Sequence, residues 1–441
     1  MSMLLAISPI DGRYKEKTTE LSEFVSEYAL IKARLGVEIK YLFALSKLGI
    51  VDLSSSEKSK LLKVLEEFDL KEAEKIKKIE DQTHHDVKAV EIYLRSVLSS
   101  KSSEMIHFGL TSEDINNLSY RIMLRSASDE TIVPPLEDLT NKLLELAKSY
   151  KGVPMLARTH GQPAVPTTLG KEMAVFASRL RRERNKLKDF EFSGKLNGAV
   201  GNYNALYFAY PRINWIKFSQ KLVESLDFRF NPLTTQVNPP EDIIEYFQTI
   251  QRINGILLDL NQDFWRYISD GWFVLESRTG QVGSSTMPQK INPIDFENSE
   301  GNLEIANGLI EVLERKLPLS RLQRDLSGST IIRNLGVILA HSLISYNGTH
   351  DGLSKITPNL LKIKDDLNSD WSILTEALQT VLRKEGKKDA YLSIMKSVKG
   401  KKLSREDWLG LINELSVKES VKDELRKVTP ETYLGLTKEL L

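Results

Sequence analysis

The residues best suited to chemistry lie in the string GSSTMPQKINP, which begins at residue 283. Two serine hydroxyls, Ser284 and Ser285, are followed by one cation, Lys290, and one side-chain amide, Asn292. The glycine and the prolines favour a loop over the interior of a strand or a helix. Such a loop can close over an anion, and the alternative is an ordinary connector punctuated by prolines.

A second candidate group is the histidine pair His84 and His85. The residues after it, DVKAVEIYL, place apolar side chains at helical spacing, and Asp86 suits the first turn of that helix. The positive end of the helix dipole disfavours an imidazolium, so a neutral imidazole that accepts or donates a proton is expected here. The alternative is an ordinary surface pair. No metal site is expected, because the histidines lack ligand spacing and no cysteine assists them.

Two further segments place polar groups at the ends of predicted helices. Thr111 and Ser112 stand directly before two acidic residues, which is a helix-start pattern. Capping explains these residues fully, and the functional alternative is that this helix terminus binds a carboxylate. The string THGQPAVP around His160 is predicted to be another loop. A helical bundle builds its site from such facing elements.

The elements that must position these groups are predicted to be helices. Apolar residues recur at helical spacing along most of the chain, with long helices beyond Pro240 and from Glu300 to Leu317. The predicted fold class is all-α, an elongated helical bundle flanked by two smaller, mostly helical domains. Its predicted ranges are an N-terminal helical domain at 1–109, a central long-helix bundle at 110–350 and a C-terminal helical domain at 351–441.

The composition is that of an ordinary globular protein. Of its 441 residues, 41% are hydrophobic and 27% charged, and the net charge is +1. So small a net charge provides no long-range field for nucleic acid or a membrane. The chain has no cysteine, which excludes disulfides and thiol catalysis and is typical of a cytoplasmic protein. No signal peptide is expected, and no run of about 18 apolar residues predicts a spanning helix.

Seven strings resemble the fumarase/aspartase superfamily and, within it, the adenylosuccinate lyase family, over most of residues 8–346. They are SPIDGRY, HHDVKAVE, TSEDINNLS, THGQPA, TTQ, GSSTMPQKINPIDFENSEGN and QRDLSGSTIIRNLG. Gln289 departs from the His that is common at its position, and MPQK also occurs in argininosuccinate lyases. Argininosuccinate lyase, or another fumarate-releasing member of the superfamily, is therefore the alternative.

The resemblance implies a cofactor-free β-elimination in purine nucleotide biosynthesis. Fumarate leaves adenylosuccinate to give AMP, and it leaves the succinyl-carboxamide imidazole ribotide (SAICAR) to give AICAR, on the AMP and IMP branches. This chemistry needs a base, an acid and donors that stabilise a dianionic carboxylate. By resemblance, Ser284 is the base and His160 the acid, Lys290 and Asn292 hold the carboxylate, and Glu297 orients His160.

The resemblance also implies a set of substrate contacts. Three residues are expected at the succinyl group: Thr111, Ser112 and Gln236. Five are expected at the phosphate and ribose: Arg13, Tyr14, Arg324, Ser329 and Arg333. His85 is expected near the phosphate or the base and is counted among the catalytic residues. The remaining expected contacts are His84, Asp86, Ser285, Lys290, Ile291, Asn292, Asn298 and Thr330.

The partners expected from this reading are small nucleotides and further copies of the same chain. The family builds its sites from three chains of a homotetramer, so shared active sites are expected here. A helical interaction scaffold or an RNA-binding bundle is the alternative of a different class. The near-zero net charge and the clustered Ser, His, Lys and Asn side chains in loops speak against it.

We expect Ser284→Ala and His160→Ala each to nearly abolish elimination while leaving nucleotide binding largely intact. Each change removes a proton-transfer partner and no phosphate contact. The turnover number from ultraviolet absorbance and the nucleotide affinity from calorimetry measure the two effects separately. Near-normal turnover of Ser284→Ala would assign the base to Ser285 or to another group.

Overall fold

The computed structural model of the chain describes residues 3–276, 286, 287 and 289–440. Two of the predicted site residues, Ser284 and Ser285, lie outside the described residues. Within those residues, no helix has the length and apolar character needed to cross a membrane.

Helices make up most of the described chain. In its first part they are α1 Lys15–Thr18, α2 Ser22–Val25, α3 Glu27–Lys47, α4 Ser55–Glu66, α5 Leu70–Thr83, α6 Asp86–Val97, α7 Ser100–Ser103, α8 Ser112–Ala127, α9 Val133–Ser149 and α10 Leu169–Lys188. They continue as α11 Asn204–Ala209, α12 Trp215–Glu224, α13 Glu241–Ser269, α14 Ile294–Lys316, α15 Ser327–Ile332 and α16 Leu335–Leu353. The last are α17 Leu360–Asn368, α18 Thr375–Lys384, α19 Ala390–Val398, α20 Arg405–Asn413 and α21 Glu419–Arg426.

The strands of the described residues are short and form two-stranded pairs. They are β1 Pro154–Thr159, β2 Gln162–Thr168, β3 Ser193–Gly194, β4 Arg229–Phe230, β5 Phe273–Leu275 and β6 Ile356–Pro358. The pairs β1–β2 and β5–β6 are antiparallel, and β3–β4 is parallel. Single 3₁₀ or π turns occur at Met3–Leu5, Thr19–Leu21, Ser128–Ile132 and Trp371–Leu374.

The chain divides into two compact units. The first unit comprises Met1–Leu136, Glu183–Gly255 and Gly301–Asn347. The second unit comprises Glu137–Arg182, Ile256–Glu300 and Gly348–Leu441. The three ranges predicted as domains remain a prediction.

The core of the first unit forms where α3 packs against α8 and α6. Leu35, Leu42 and Leu45 are buried on α3, and their spacing of seven and three residues places them on one helical face. Ile115 and Leu118 of α8 are fully buried as well. Burial of each such side chain contributes about 1.5–3 kcal/mol. The apolar periodicity therefore fixes which faces of α3 and α8 meet.

Buried amides and hydroxyls set the register of the long helices α13, α14 and α16. In the first unit, Asn254 Nδ2 donates to Asn307 Oδ1 at 3.0 Å, and the Tyr346 hydroxyl donates to Asn254 Oδ1 at 2.9 Å. In the second unit, Asn261 Nδ2 donates to Ser299 Oγ at 2.9 Å. A buried polar group left unpaired is costly, so sliding one helix past its neighbour is disfavoured.

The string THGQPAVP was predicted as a loop, and the structure shows instead that it lies within the β1–β2 hairpin of the second unit. Thr159 pairs with Gln162, which leaves His160 and Gly161 as a two-residue turn. Both turn residues have positive φ, +54° and +71°, as the tight turns favoured in hairpins require. Such turns usually carry Asn-Gly or Asp-Gly, so a His-Gly turn between prolines gave no clear hairpin signal.

The short helices near the C-terminus share one apolar core within the second unit. Trp408, Leu374 and Ile412 are fully buried there, together with Leu378 and Leu425. The sequence predicts short amphipathic helices from about Gly352 onward, and α17 to α21 confirm them.

Candidate functional site

A cleft of about 440 Å³ opens in the first unit. Its walls come from α3, α5, α6, α8 and α15, and from the segments that precede α13 and α15. Seven residues predicted from the sequence as substrate contacts line it: His84, His85, Asp86, Ser112, Arg324, Ser329 and Arg333. The fold thus brings together residues that are up to 249 positions apart in the chain, from 84 to 333.

The histidine pair forms the junction between α5 and α6. His84 ends α5 in the left-handed conformation, with φ of 53°. His85 caps α6, and its Nδ1 accepts a hydrogen bond from the backbone N–H of Lys88 at 3.2 Å. The prediction that this pair stands at a helix start is confirmed. Because Nδ1 is the acceptor, Nε2 of His85 is the nitrogen left to meet a ligand.

Asp86 links two arginines on one wall of the cleft. Arg34 Nη2 lies 2.6 Å from Asp86 Oδ2, and Arg333 Nη2 lies 3.4 Å from the same oxygen. Arg333 also pairs with Glu27 at 3.3 Å, and Arg34 Nε donates to Asn116 Oδ1 at 2.9 Å. Burial alone would raise the pKa of Asp86, but Arg34, a backbone N–H and Arg333 outweigh it and hold the pKa below its ordinary value. The ionised carboxylate therefore orients both guanidinium groups.

Arg324 is held on another wall of the cleft. Its Nη1 donates to Gln236 Oε1 at 3.0 Å, and its Nη2 lies 3.5 Å from Glu113 Oε2. The Gln236 side chain is itself oriented, because its Nε2 donates to the Ala199 carbonyl at 2.9 Å. A forked guanidinium held in this way is suited to phosphate or carboxylate recognition.

A fully buried ion pair supports this wall from behind. Lys195 Nζ lies 3.1 Å from Asp114 Oδ1, and neither side chain has any solvent exposure. Asp114 also accepts hydrogen bonds from the backbone N–H groups of Thr111, Asn197 and Gly198 at 2.9–3.2 Å. Lys195 Nζ donates to the Gln236 carbonyl at 2.7 Å. The N-terminus of α8 and the segment that carries Gln236 are thereby joined at one point.

The small residues after β3 let two backbone segments approach closely. Gly201 has φ of +83°, and a Cβ placed there would lie 2.1 Å from the Thr234 carbonyl oxygen. A side chain at this position would push the segment that carries Gln236 away.

The other predicted contacts of the first unit lie outside the lining of the cleft. Arg13 and Thr330 are exposed, and the Tyr14 backbone N–H donates to Pro9 in the N-terminal turn. Thr111 caps α8, one residue before Ser112 of the lining. Their roles toward a substrate remain predictions.

Several predicted residues belong to the second unit. Lys290 and Ile291 are exposed, and Asn292 is partly buried. Glu297 and Asn298 are exposed in the first turns of α14.

His160 is exposed at the tip of the β1–β2 hairpin. Glu297, its predicted orienting carboxylate, accepts a hydrogen bond from Trp265 Nε1 at 3.1 Å. Across the described residues, His160 and Glu297 make no hydrogen bond or ion pair with each other. Their predicted pairing remains a prediction.

The sequence alone did not single out several residues that build the cleft. Arg34, Asn116 and Glu113 line it, and Lys195 supports it. Arg34 lies among the apolar residues of α3, and a charge within an apolar stripe was the available signal. Lys195 gave no signal, because its partner Asp114 is distant in the chain.

The cleft has the chemistry of an anion site with an amphipathic wall. Three guanidinium groups, three serine hydroxyls and the N-terminus of α8 supply donors, and Tyr120, Leu317 and Leu319 supply apolar surface. This combination suits a ligand that has both a flat apolar part and anionic groups.

The chain matches two family descriptions along its length. Residues 12–307 match the family described as "Lyase", and residues 320–434 match "Adenylosuccinate lyase C-terminal". The curated adenylosuccinate lyase of Haemophilus influenzae is 44% identical and covers 100% of this chain and 99% of the relative. The adenylosuccinate lyase of Legionella pneumophila is 45% identical, over 100% of this chain and 99% of the relative. That of Escherichia coli K12 is 43% identical, over 99% of this chain and 97% of the relative.

Solved structures share the fold at much lower identity. A fumarate lyase from Mesorhizobium sp. BNC1 has a TM-score of 0.76 at 18% identity, over 96% of both chains. The 3-carboxy-cis,cis-muconate lactonizing enzyme from Pseudomonas putida has a TM-score of 0.76 at 20% identity, over 96% of this chain and 94% of that one. The predicted all-α bundle is confirmed.

We expect Asp114→Asn to lower the apparent free energy of unfolding by about 3–5 kcal/mol, because it leaves the buried Lys195 ammonium without a counter-charge. The double variant Asp114→Asn/Lys195→Met removes both charges and should recover most of this loss. Urea denaturation followed by far-ultraviolet circular dichroism measures the difference. Equal stability of the wild type and the single variant, or a double variant no better than the single one, would contradict the role of the pair.

Proposed function

The chain belongs to the adenylosuccinate lyase family, and we propose from this premise that it releases fumarate from two succinylated purine intermediates. The substrates are adenylosuccinate, which yields AMP, and SAICAR, which yields AICAR. Both reactions break a carbon–nitrogen bond by β-elimination and need no added cofactor. Argininosuccinate lyase activity is disfavoured by the family membership.

The observation that carries this function is the full-length similarity to curated adenylosuccinate lyases. The cleft of the first unit supports it physically. Arg324 and Arg333, both expected at the nucleotide phosphate, line this cleft together with Ser329. Forked guanidinium donors and a hydroxyl match the oxygens of a phosphate.

In the proposed mechanism, Ser284 removes a proton from the carbon next to a carboxylate of the succinyl group. Lys290 and Asn292 stabilise the dianionic carboxylate that forms, because cationic and amide donors act strongly where water is excluded. His160 then protonates the departing nitrogen, and fumarate leaves. Serine is a weak base in water, so Ser284 can act only where water is excluded from the site.

The proposed site is assembled from several subunits of a homotetramer. A general acid needs a partner that sets its orientation, and His160 has no such partner among the described residues of its own chain. Its exposure at a hairpin tip supports insertion into a neighbouring subunit. Closed symmetric association would supply Glu297 or another carboxylate from a second copy. The cytoplasmic location suggested by the lack of cysteine is part of the same proposal.

The function is tested by incubating the purified protein with adenylosuccinate, with SAICAR and with argininosuccinate. We expect fumarate and the matching purine product from the first two and no fumarate from argininosuccinate, since the nucleotide phosphate contributes to binding. Ultraviolet spectra of the products distinguish the reactions. Release of fumarate from argininosuccinate but from neither purine substrate would refute the proposal and indicate argininosuccinate lyase activity instead.

Shared sites predict complementation between two inactive variants. Mixing His160→Ala with Ser284→Ala protein under conditions of subunit exchange should restore part of the activity, because some sites then receive both wild-type residues. Sedimentation should show a tetramer, and each variant alone, treated identically, is the control. No recovery after verified exchange, or a fully active monomer, would overturn the shared-site proposal.

A further inference from the structure

Glu113 places a carboxylate against a cation that is expected to bind phosphate. Its Oε2 lies 3.5 Å from Arg324 Nη2, and the two side chains are 18% and 24% exposed. The second terminal nitrogen, Nη1, donates to Gln236 Oε1 at 3.0 Å. Both terminal nitrogens of Arg324 therefore have a protein partner in this structure.

Each terminal nitrogen of Arg324 carries two N–H groups, so a ligand anion that binds at Nη2 lies directly beside the Glu113 carboxylate and competes with it for this nitrogen. The hydrogen bond to Gln236 is short, and Gln236 is itself held in place. Its side-chain N–H group donates to the Ala199 carbonyl, and its backbone carbonyl accepts from Lys195. The Glu113 contact at 3.5 Å is longer than an ordinary charge-assisted hydrogen bond. The nitrogen that faces Glu113 is therefore the one that an anionic group reaches at the lower cost.

Other charged groups act on Glu113 or line the same cleft. Arg121 and Asp114 share its helix, and Lys195 lies behind it. The titratable and charged residues that line the same cleft from the other elements are Arg34, Glu80, His84, His85, Asp86, Arg324, Asp325 and Arg333. Burial raises the pKa of Glu113, while Arg324, Lys195 and Arg121 oppose this and Asp114 reinforces it, so that the net pKa lies above its ordinary value.

We propose that Glu113 limits the affinity of this site for anions, because it competes with the anionic group of the ligand for Arg324. The inference rests on the proposed function, because that function makes Arg324 a contact of the nucleotide phosphate. When the phosphate pairs with Arg324 Nη2, the Glu113 carboxylate loses its partner and faces a like charge. The competition weakens binding of the nucleotide product and favours its release.

The sign of the pH dependence follows from this competition. Below its raised pKa, Glu113 is neutral and does not compete, so an anion binds more tightly. As the pH rises through that pKa, the carboxylate forms and affinity falls. Other titratable groups line the same cleft, so only a variant at residue 113 isolates the effect of this carboxylate.

Isothermal calorimetry of the full-length protein tests the proposal with two probes, inorganic sulfate and AMP, at about pH 5.5 and about pH 8.5. Sulfate keeps the same charge over this range, so its affinity reports only on the protein. The test variant is Glu113→Gln, which keeps the shape of the side chain and removes its charge. The matched control is Glu80→Gln, because Glu80 lines the same cleft but pairs with Lys77 at 2.7 Å.

We expect Glu113→Gln to bind both probes about fivefold more tightly than the wild type at the higher pH, and this gain should be smaller at the lower pH, where more of the Glu113 carboxyl is protonated. Glu80→Gln should bind both probes with an affinity within about twofold of that of the wild type at both pH values. Equal effects of the two variants, or weaker binding by Glu113→Gln at the higher pH, would overturn the proposal. If the amide variant does not fold, Glu113→Asp, which withdraws the carboxylate by one methylene, takes its place and should show the same pH-dependent gain.

The same samples separate this inference from the proposed function. Absence of fumarate release by the wild type would refute the function, whereas the sulfate affinities would still decide whether Glu113 competes for Arg324. If the wild type releases fumarate but Glu113→Gln binds the probes no more tightly than Glu80→Gln does, the proposed function stands and the inference about Glu113 is refuted.

Discussion

Asp114 and Lys195 bring two full charges into the interior of the first unit, where neither side chain is exposed. Removing such groups from water costs several kcal/mol per ion, and the pair is tolerated only because its other hydrogen bonds are satisfied. Asp114 receives three backbone N–H groups, and Lys195 reaches the carbonyls of Gly198 and Gln236. The start of α8, the turn after β3 and the segment before α13 depend on this contact for their positions. The walls of the cleft are built on these segments.

The cleft combines anion-binding groups with carboxylates that restrain them. Arg34 and Arg333 share Asp86, and Arg324 lies between Gln236 and Glu113. Fixed partners hold each guanidinium in place, so little reorganisation is needed when a phosphate arrives. The same carboxylates compete with an anionic ligand for the guanidinium groups and so limit the affinity. Orientation and affinity are therefore set by the same residues.

The β1–β2 hairpin determines where His160 lies on the surface of the second unit. A two-residue turn with both residues at positive φ has little backbone freedom, so it places the backbone of His160 at a defined position at the tip of the hairpin. The side chain is exposed, although a general acid has to work in a site that excludes water. A rigid, exposed presentation of this kind supports the proposal that His160 completes a site in a neighbouring subunit.

Local sequence determined the features that depend on neighbouring residues. The helix starts at Asp86 and Ser112 follow from capping and from acidic first turns, and the apolar stripes of α3 and α8 follow from helical spacing. The motifs also named seven residues that line the cleft. Tertiary structure alone decided the hairpin at His160 and the partners of Arg34, Lys195 and Glu113. Those partners are separated by many residues along the chain, and local propensity does not encode which distant charge a buried side chain meets. The packing of the helices decides which charges meet, because an unpaired charge cannot remain in the interior.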